Sequence, residues 1–290
     1  MAKLIFGAGY LGKRVADRWK SAGHEVYVIT RSTERAAELR REGLLPIVAD
    51  VTQPASLAGL PHAETVLYAV GFDRASGNTI GQVYAGGLQT ALSAISPAPH
   101  RVIYISSTGV YGQTGGTSVD ENSPCLPERE GGKASLAAEE VLRRHQLGSR
   151  GIVLRLAGIY GPGRIPRKDD LLAGRGIDAP GEGHLNLIHV EDAADIVLRA
   201  DASAKPPCTY NVSDGQPITR SAYYEYLAKL LGAPAPNFVP PAAGSPAALR
   251  ALGDKRIRSD RIFEDLALQL RFPSYREGLA SIVAVENENQ

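Results

Sequence analysis

The feature that most constrains this chain is a glycine-rich turn directly after its first apolar run. Lys3–Phe6 has the pattern of a short buried strand, and the segment Gly7-Ala8-Gly9-Tyr10-Leu11-Gly12 follows it. A helical pattern begins within that segment, at about Tyr10. A GxGxxG segment between a strand and a helix is typical of dinucleotide-binding folds, because its glycines permit a tight turn, close approach of a pyrophosphate and close packing of helix on strand. We therefore predict that this turn binds the phosphates of a dinucleotide; the alternative is a purely structural turn.

Strand and helix patterns alternate through the first half of the chain. Further apolar runs occupy 25–30, 46–49, 65–70, 101–106 and 152–156, and helical patterns separate most of them. Strands that are apolar throughout and alternate with helices predict a parallel sheet covered on both faces. After about residue 157 glycine and proline become dense. The predicted fold class is therefore α/β, a doubly wound parallel sheet followed by a smaller, irregular C-terminal part.

Composition excludes several classes of protein. The 32 Lys and Arg residues balance 31 Asp and Glu residues, so the net charge of +1 gives no reason to expect nucleic acid or a membrane surface as a partner. No apolar run reaches the roughly 20 residues that a membrane span needs. Cys125 and Cys208 are the only cysteines and neither belongs to a CxxC pair, so we expect no metal site built on cysteines. We expect a cytoplasmic protein.

The ends of the predicted strands supply further candidates for a cofactor site. Arg31 and Ser32 follow the second strand, where an NAD-selective site usually carries a carboxylate. Guanidinium and hydroxyl donors suit a 2′-phosphate, so NADP is the preferred cofactor and NAD the alternative; Arg31 could also be an exposed loop charge. Residues after the third and fourth strands should meet the adenosine half. The predicted cofactor-binding residues are Gly7, Gly9, Tyr10, Leu11, Gly12, Arg31, Ser32, Asp50, Val51, Ala69, Val70, Gly71 and Ser106.

Several segments beyond the glycine turn strengthen this interpretation. They are Ile105-Ser106-Ser107-Thr108-Gly109-Val110-Tyr111-Gly112, Asp120-Glu121-Asn122-Ser123-Pro124, Leu154-Arg155-Leu156-Ala157-Gly158-Ile159-Tyr160-Gly161-Pro162-Gly163 and Asn186-Leu187-Ile188-His189-Val190-Glu191-Asp192-Ala193-Ala194. In this order they resemble the NAD-dependent epimerase/dehydratase family of the extended short-chain dehydrogenase/reductase superfamily. The resemblance implies a Rossmann domain over 1–157 and a substrate lobe over 158–290, from which about 184–202 returns to the Rossmann core. It also implies hydride chemistry on a sugar, a nucleotide sugar or another hydroxy or keto compound.

The chain departs from this resemblance at the family's catalytic Tyr-x-x-x-Lys pair. Counted back from Ala137-Ala138-Glu139, the tyrosine position holds Gly131 and the lysine position holds Ser135. Neither residue can supply a phenol or an ammonium group. The serine that the family uses on its substrate is present as Ser107, which is the predicted catalytic residue. The predicted substrate-binding residues are Thr108, Tyr111, Arg164 and Asn186.

Three explanations for the missing pair stay open. Another acid or base could act, with Tyr84, Tyr111, Tyr160 or Lys133 as candidates. Alternatively, polarisation by Ser107 and Thr108 could suffice. The third explanation is that the chain has lost catalysis and is an NADP(H)-binding sensor or regulatory protein. We also consider a homodimer, because family members pair through helices that correspond to about 81–95 and 133–145 here, and Gly131-Gly132 would permit close approach.

Overall fold

The computed structural model describes residues 1–288, leaving out the side chains at positions 246, 249 and 250. The strands are β1 (Ala2–Phe6), β2 (Glu25–Thr30), β3 (Leu45–Val48), β4 (Thr65–Tyr68), β5 (Arg101–Ser107), β6 (Thr117–Val119), β7 (Gly151–Leu156), β8 (Gly158–Tyr160), β9 (Ile177–Asp178), β10 (His184–Leu185), β11 (Leu187–His189), β12 (Cys208–Val212), β13 (Ile218–Thr219), β14 (Phe238–Val239) and β15 (Lys255–Ile257). The α-helices are α1 (Gly12–Ser21), α2 (Thr33–Arg41), α3 (Gly87–Ala94), α4 (Glu130–Arg144), α5 (Lys168–Leu172), α6 (Val190–Ser203), α7 (Arg220–Leu231), α8 (Pro246–Leu252), α9 (Asp260–Leu266) and α10 (Tyr275–Glu288).

Seven strands form the central sheet, in the order β12-β7-β5-β4-β1-β2-β3. In this sheet β1 lies between β2 and β4, and Phe6 is level with Ile29 on one side and with Tyr68 on the other. The pairings among β1 to β5 are parallel. The strand order reverses between β1 and β4, and in doubly wound sheets ligands bind outside the carboxyl ends of the strands at such a reversal. The predicted fold class is confirmed.

Two compact units divide the chain, and neither is one continuous segment. The first unit comprises Met1–Val110, Pro127–Arg155 and Ala194–Tyr210, and the second comprises Tyr111–Leu126, Leu156–Ala193 and Asn211–Gln290. This grouping differs from the predicted boundaries in two places. Residues 111–126 group with the second unit, because β6 in this segment pairs in parallel with β15. The segment that groups with the first unit is 194–210, whereas the prediction was about 184–202.

A buried ion pair lies in the core of the first unit. The Lys3 ammonium donates to the carboxylate of Asp201 at 2.7 Å and to the hydroxyl of Thr65 at 3.0 Å. The Trp19 indole N–H donates to the same carboxylate at 3.1 Å. A buried charge is tolerated only when its hydrogen bonds are satisfied, and these contacts satisfy both the ammonium and the carboxylate. The same contacts connect β1, β4, α1 and α6.

The first unit departs from the predicted helix over 81–95. A π-helical turn, Gln82–Gly86, precedes α3. The Tyr68 hydroxyl donates to the carbonyl of Val83 at 2.8 Å, so this carbonyl has a partner outside its own helix. Gly87 packs so tightly that a Cβ there would lie 2.6 Å from the Tyr68 hydroxyl oxygen. Single π turns of this kind are frequent near functional sites.

An aromatic cluster forms the core of the second unit. Tyr160 on β8 and Tyr223 on α7 pack with Tyr275 and Leu279 on α10. At Gly278 a Cβ would lie 2.1 Å from the Tyr160 hydroxyl oxygen, so α10 can approach β8 only because residue 278 is glycine. Among residues 1–288, no helix is both long enough and apolar enough to cross a bilayer.

Candidate cofactor and substrate site

The glycine turn has a different steric requirement at each of its three glycines. Gly7 has a φ of +95°, and a Cβ there would lie 2.7 Å from the carbonyl oxygen of Ala69. A Cβ at Gly12 would lie 2.0 Å from the carbonyl oxygen of Gly7. Around Gly9, by contrast, a Cβ would meet nothing within 4 Å. Gly7 and Gly12 are therefore required by the fold itself, whereas the fold leaves open space at Gly9.

The start of α1 is uncapped beside this open space. Leu11 is the N-cap residue, its side chain accepts no hydrogen bond, and the first turn carries no acidic residue. The N–H of Lys13 donates to the carbonyl of Gly9 at 3.0 Å, and the positive end of the helix dipole at such a start favours an anion. The residues present therefore fit the pyrophosphate of a dinucleotide. Tyr10 lies at the same turn, where the Arg14 guanidinium stacks on its ring at 4.3 Å from the centroid.

A cavity of about 230 Å³ lies at the carboxyl ends of β1, β2, β3 and β4. Six of the predicted cofactor-binding residues line it, together with Ala8, Ile29, Thr30 and Ala49; the six are Gly7, Gly9, Arg31, Val51, Val70 and Gly71. The cavity walls thus combine exposed glycine backbone, aliphatic side chains and one guanidinium group, the surfaces that the adenosine half of a dinucleotide needs.

Arg31 stands at the edge of this cavity and has a carboxylate partner. Its guanidinium bonds to Asp73 at 3.0 Å, and both side chains are about half exposed. An exposed pair of this kind is weak and can exchange for another anion. The Ser32 hydroxyl caps α2 by accepting from the N–H of Arg35 at 3.0 Å, and it donates to Glu34 at 2.7 Å. The hydroxyl of Ser32 is therefore engaged within the loop, and a carboxylate lies beside the predicted 2′-phosphate position.

Two other predicted cofactor residues have local structural roles. Asp50 accepts hydrogen bonds from the N–H of Thr52 at 2.8 Å and from its hydroxyl at 2.7 Å, which closes the turn after β3. Ser106 is buried, and its hydroxyl donates to Glu139 at 2.5 Å. The side chain of Ser106 thus points into the first unit.

A buried charged pair supports the strand that carries Ser106. Glu139 on α4 accepts two hydrogen bonds from the Arg155 guanidinium on β7, at 2.9 and 2.6 Å, in addition to the one from Ser106. Sequence reasoning missed this network. An arginine within the apolar strand Ile152–Leu156 was the available signal, because a buried guanidinium requires a buried partner.

Ser107 ends β5 and begins a short 3₁₀ turn, Thr108–Val110. Its hydroxyl oxygen accepts from the N–H of Gly109 at 3.0 Å. Thr108 is buried in the same turn. Gly132 packs on this turn so closely that a Cβ there would lie 2.1 Å from the carbonyl oxygen of Gly109. The small size of Gly132 is therefore required within the unit, which corrects our interpretation of this glycine as a dimer contact; the homodimer itself stays a prediction.

The two positions aligned with the family's catalytic pair lie on α4. Gly131 stands in its first turn, and a Cβ there would have only the Ile80 Cδ1 atom within 4 Å, at 3.8 Å. The hydroxyl of Ser135, which is buried, donates to the carbonyl of Gly131 at 2.9 Å. This part of α4 therefore offers open space where a tyrosine would stand.

The predicted substrate-binding residues of the second unit are largely engaged with their own neighbours. The buried Tyr111 hydroxyl donates to Asn211 at 2.8 Å. The Asn186 amide uses both of its ends, donating to the carbonyl of Lys255 at 2.8 Å and accepting from the N–H of Ile257 at 2.7 Å. Asn186 thus positions β15. Arg164 lies exposed in the turn that follows β8.

Three of the alternative acid–base candidates, Tyr84, Tyr160 and Lys133, have surroundings that do not favour a base. Burial raises the pKa of Tyr84 above its ordinary value, and burial followed by the Asp214 charge raises the pKa of Tyr160. A raised pKa opposes formation of the phenolate that a tyrosine base needs. Lys133 is exposed and pairs with Glu130 at 3.3 Å.

Asp214 is a buried carboxyl group that sequence reasoning missed. It is 7% exposed, and its Oδ1 accepts from the N–H of Gln216 at 2.9 Å. Its Oδ2 is buried without a hydrogen-bond partner. Burial raises the pKa of Asp214 to about 7, with smaller contributions from the charges of Asp192 and Glu277. No group of three or more potential metal ligands occurs in the part of the chain that the structure describes.

Comparison with known proteins gives one family and several relatives. The family model described as the NAD dependent epimerase/dehydratase family matches residues 4–213. Protein YeeZ of Escherichia coli (strain K12) is 33% identical over 183 residues, which span 62% of this chain and 62% of that protein. The 3-diazoavenalumate denitrifying reductase of a Streptomyces species is 26% identical over 310 residues, covering 96% of this chain and 99% of that protein. A solved structure from Methylobacillus flagellatus, provisionally assigned as an NAD-dependent epimerase/dehydratase, is 31% identical with a TM-score of 0.79, covering 99% of this chain and 98% of that one.

Proposed function

The chain belongs to the NAD dependent epimerase/dehydratase family, and from that premise we propose that it is an NAD(P)-dependent oxidoreductase acting on a hydroxy or keto compound. The proposed cofactor is NADP in preference to NAD. Gly7, Gly9 and the start of α1 would hold its pyrophosphate, and Arg31 would meet its 2′-phosphate. When bound, this cofactor supplies a hydride or accepts one.

The open space at Gly9 is the observation that carries this proposal. Gly9 does not have a positive φ and no neighbour crowds it, so neither its backbone conformation nor the packing of the chain requires glycine there. Gly9 instead borders a cavity, and a side chain there would enter space that no atom of the chain occupies. Glycine at such a position is explained by the close approach of a ligand to the backbone.

The Ser107 side chain is the group of this chain that we propose contacts the substrate. Its hydroxyl oxygen accepts from the N–H of Gly109, so its hydrogen remains available to donate to a substrate oxygen. Full-length similarity to a protein named as a reductase favours reduction over epimerisation. A sugar or nucleotide sugar is the alternative substrate class, since the family description includes epimerases and dehydratases.

A catalytically inactive NADP(H)-binding sensor is the second candidate function. The observation that favours it is the absence of a phenol and an ammonium group at Gly131 and Ser135 on α4. Loss of both groups removes the family's proton donor while leaving the glycine turn intact.

One experiment separates these functions. Purified protein is supplied with NADPH and a panel of aldehydes, ketones and nucleotide sugars, and NADPH oxidation is followed by absorbance. Binding of NADPH together with turnover of at least one carbonyl compound supports the reductase. Tight binding without turnover across the panel supports the sensor, and no binding of any dinucleotide contradicts both.

A further inference from the structure

The second unit contains a cavity of about 710 Å³. Its walls come from the loop 179–182 after β9, the first turns of α7, β14 with the prolines around it, and α8. Small-molecule sites of proteins are concave and have volumes of roughly 300–1,000 Å³. None of the described residues that line this cavity is among the predicted cofactor-binding or substrate-binding residues. The cavity therefore has the size of a ligand site and shares no described residue with the proposed cofactor site.

Hydrogen bonds and close packing hold three of these walls together. The N–H of Ser221 on α7 donates to the carbonyl of Gly181 at 2.9 Å. Strand β14 pairs in parallel with β9, and Phe238 is level with Ile177. A Cβ at Gly181 would lie 3.5 Å from a ring carbon of Phe238 and 3.5 Å from the Cβ of Ser221. This end of the cavity is therefore preformed, as ligand sites usually are.

The lining of the cavity is mostly apolar. Four prolines line it together with alanine, valine and leucine side chains and the ring of Phe238. This ring is half-buried, and it packs with the Tyr224 ring at a centroid distance of 6.2 Å. An accessible ring among prolines and small aliphatic side chains offers a surface for the aromatic part of a ligand.

Two carboxylates are the only charged groups among the described residues of the lining. They belong to Glu182 in the loop and Glu225 on α7, and both residues are exposed. Glu225 lies four residues after Ser221, so these two residues share one face of α7. Within the part of the chain that the structure describes, neither carboxylate has a hydrogen-bond or ion-pair partner. Both charges are therefore available to a ligand that carries a cation.

Arg220 lies next to this loop but is not part of the lining. It is buried, and its guanidinium donates to the carbonyl of Pro180 at 3.3 Å. Burial lowers the pKa of Arg220, and the charge of Asp254 acts in the opposite direction. Asp254 thus provides a counter-charge for Arg220, which leaves the two glutamates to set the charge of the cavity.

We propose that this cavity binds a small organic amine that carries an aromatic ring. The ring would lie against Phe238 and the prolines, and the carboxylates of Glu182 and Glu225 would hold the ammonium group. An ammonium group is also attracted to the face of an aromatic ring. The same carboxylates disfavour an anionic ligand such as a nucleoside diphosphate. The site is independent of the proposed function, because it uses neither the glycine turn nor Ser107.

Calorimetric titration of the full chain with phenethylamine tests the site, because this compound joins a phenyl ring to an amine that is protonated at neutral pH. Phenethyl alcohol and hydrocinnamate are compounds of similar size that are neutral and negatively charged. The amine should bind about tenfold more tightly than the alcohol, and hydrocinnamate should bind more weakly than both.

Substitutions locate the amine in the cavity. Glu182→Gln and Glu225→Gln should each weaken phenethylamine binding by about threefold, and the double variant by about tenfold, with the affinity for phenethyl alcohol unchanged. Ala251→Trp fills the cavity and should weaken binding of both compounds by about tenfold or more. Glu264→Gln is the matched control, because Glu264 is an exposed glutamate on α9 of the same unit and is not part of the lining; its affinity should stay within about twofold of the parent chain.

Three results would overturn the site: undetectable binding of phenethylamine by the parent chain, binding of phenethyl alcohol as tight as that of the amine, or a folded double variant or Ala251→Trp variant that binds the amine like the parent. Circular dichroism shows whether each variant is folded. NADPH titration of the same samples tests the proposed function separately. A chain that binds the amine but no dinucleotide keeps this site and loses the reductase. A chain that binds NADPH but not the amine keeps the reductase and loses the site.

Discussion

Replacing Asp214 by asparagine should change how the stability of the chain depends on pH. In the folded chain burial raises the pKa of this carboxyl to about 7, against an ordinary value of 3.8. Below about pH 3.8 the group is protonated in both the folded and the unfolded chain, so it contributes no pH dependence. Between 3.8 and 7 the unfolded chain ionises while the folded chain keeps its proton. Wild-type stability therefore falls as pH rises through this window.

The size of the effect follows from the two pKa values. Each tenfold difference in ionisation constant corresponds to about 1.4 kcal/mol. The gap between 3.8 and about 7 therefore gives a loss of up to about 4 kcal/mol, complete above pH 7. Asparagine keeps an acceptor for the N–H of Gln216 but has no charge to bury, so the variant lacks this loss. If the new amide changes the free energy of unfolding of the variant for another reason, that change is the same at every pH.

Urea unfolding followed by circular dichroism measures this difference. The free energy of unfolding of Asp214→Asn, minus that of the parent chain, should rise by about 3–4 kcal/mol from about pH 4.5 to about pH 8. Asp73→Asn is a control whose difference from the parent chain should stay nearly constant over this range, because the N–H of Ala75 and the Arg31 guanidinium lower the pKa of Asp73, and its pH dependence therefore lies below its ordinary pKa of 3.8. A difference for Asp214→Asn that stays constant within about 1 kcal/mol across this range would contradict a raised pKa of Asp214 in the folded chain.

Three further predictions concern the first unit. Arg31→Asp should weaken NADPH binding far more than NADH binding, and Asp73→Asn should strengthen NADPH binding severalfold by releasing the guanidinium; equal effects on the two cofactors in calorimetry would contradict the 2′-phosphate assignment. Glu139→Gln should lower the free energy of unfolding by about 3 kcal/mol or more, because Arg155 would lose its buried counter-charge; a urea midpoint unchanged from the parent chain would show that the pair is not needed. Gly12→Ala should destabilise the chain by about 3 kcal/mol, since its Cβ would lie 2.0 Å from a carbonyl oxygen; a thermal midpoint within a degree or two of the parent value would be inconsistent with that packing.

The glycine turn and the parallel sheet could be predicted because their signals are local. The apolar run Lys3–Phe6, the glycine spacing after it and the helical period that follows lie within about twenty residues, and each is a pattern with a known geometry. The residues at the ends of β2, β3 and β4 could be predicted as cofactor contacts, because ligands bind at the carboxyl ends of parallel strands. Six of the predicted cofactor residues line one cavity for this reason.

Other features depend on residues that are far apart in the chain. The grouping of 111–126 with the second unit results from the pairing of β6 with β15. No local sequence pattern predicts this pairing. The roles of Tyr111 and Asn186 were hard to predict because their partners lie on other segments. The close approach of Gly132 to Gly109 depends on how α4 packs on the turn after β5, and only the structure provides that packing.

Dinucleotide binding at the glycine turn is the central proposal for this chain, and Gly9→Ala tests it most directly. Nothing in the chain lies within 4 Å of the added Cβ, so the variant should fold with the stability of the parent chain or slightly more. The methyl group would instead occupy the space proposed for a pyrophosphate.

The decisive measurement is calorimetric titration of NADPH, NADH, NADP and NAD into the parent chain and into Gly9→Ala, with any co-purified nucleotide identified by mass spectrometry. We expect the parent chain to bind NADPH more tightly than NADH. Gly9→Ala should lose about tenfold or more in NADPH affinity while its unfolding midpoint stays unchanged. Equal affinity of the two proteins, or no binding of any dinucleotide by the parent chain, would contradict dinucleotide binding at the glycine turn.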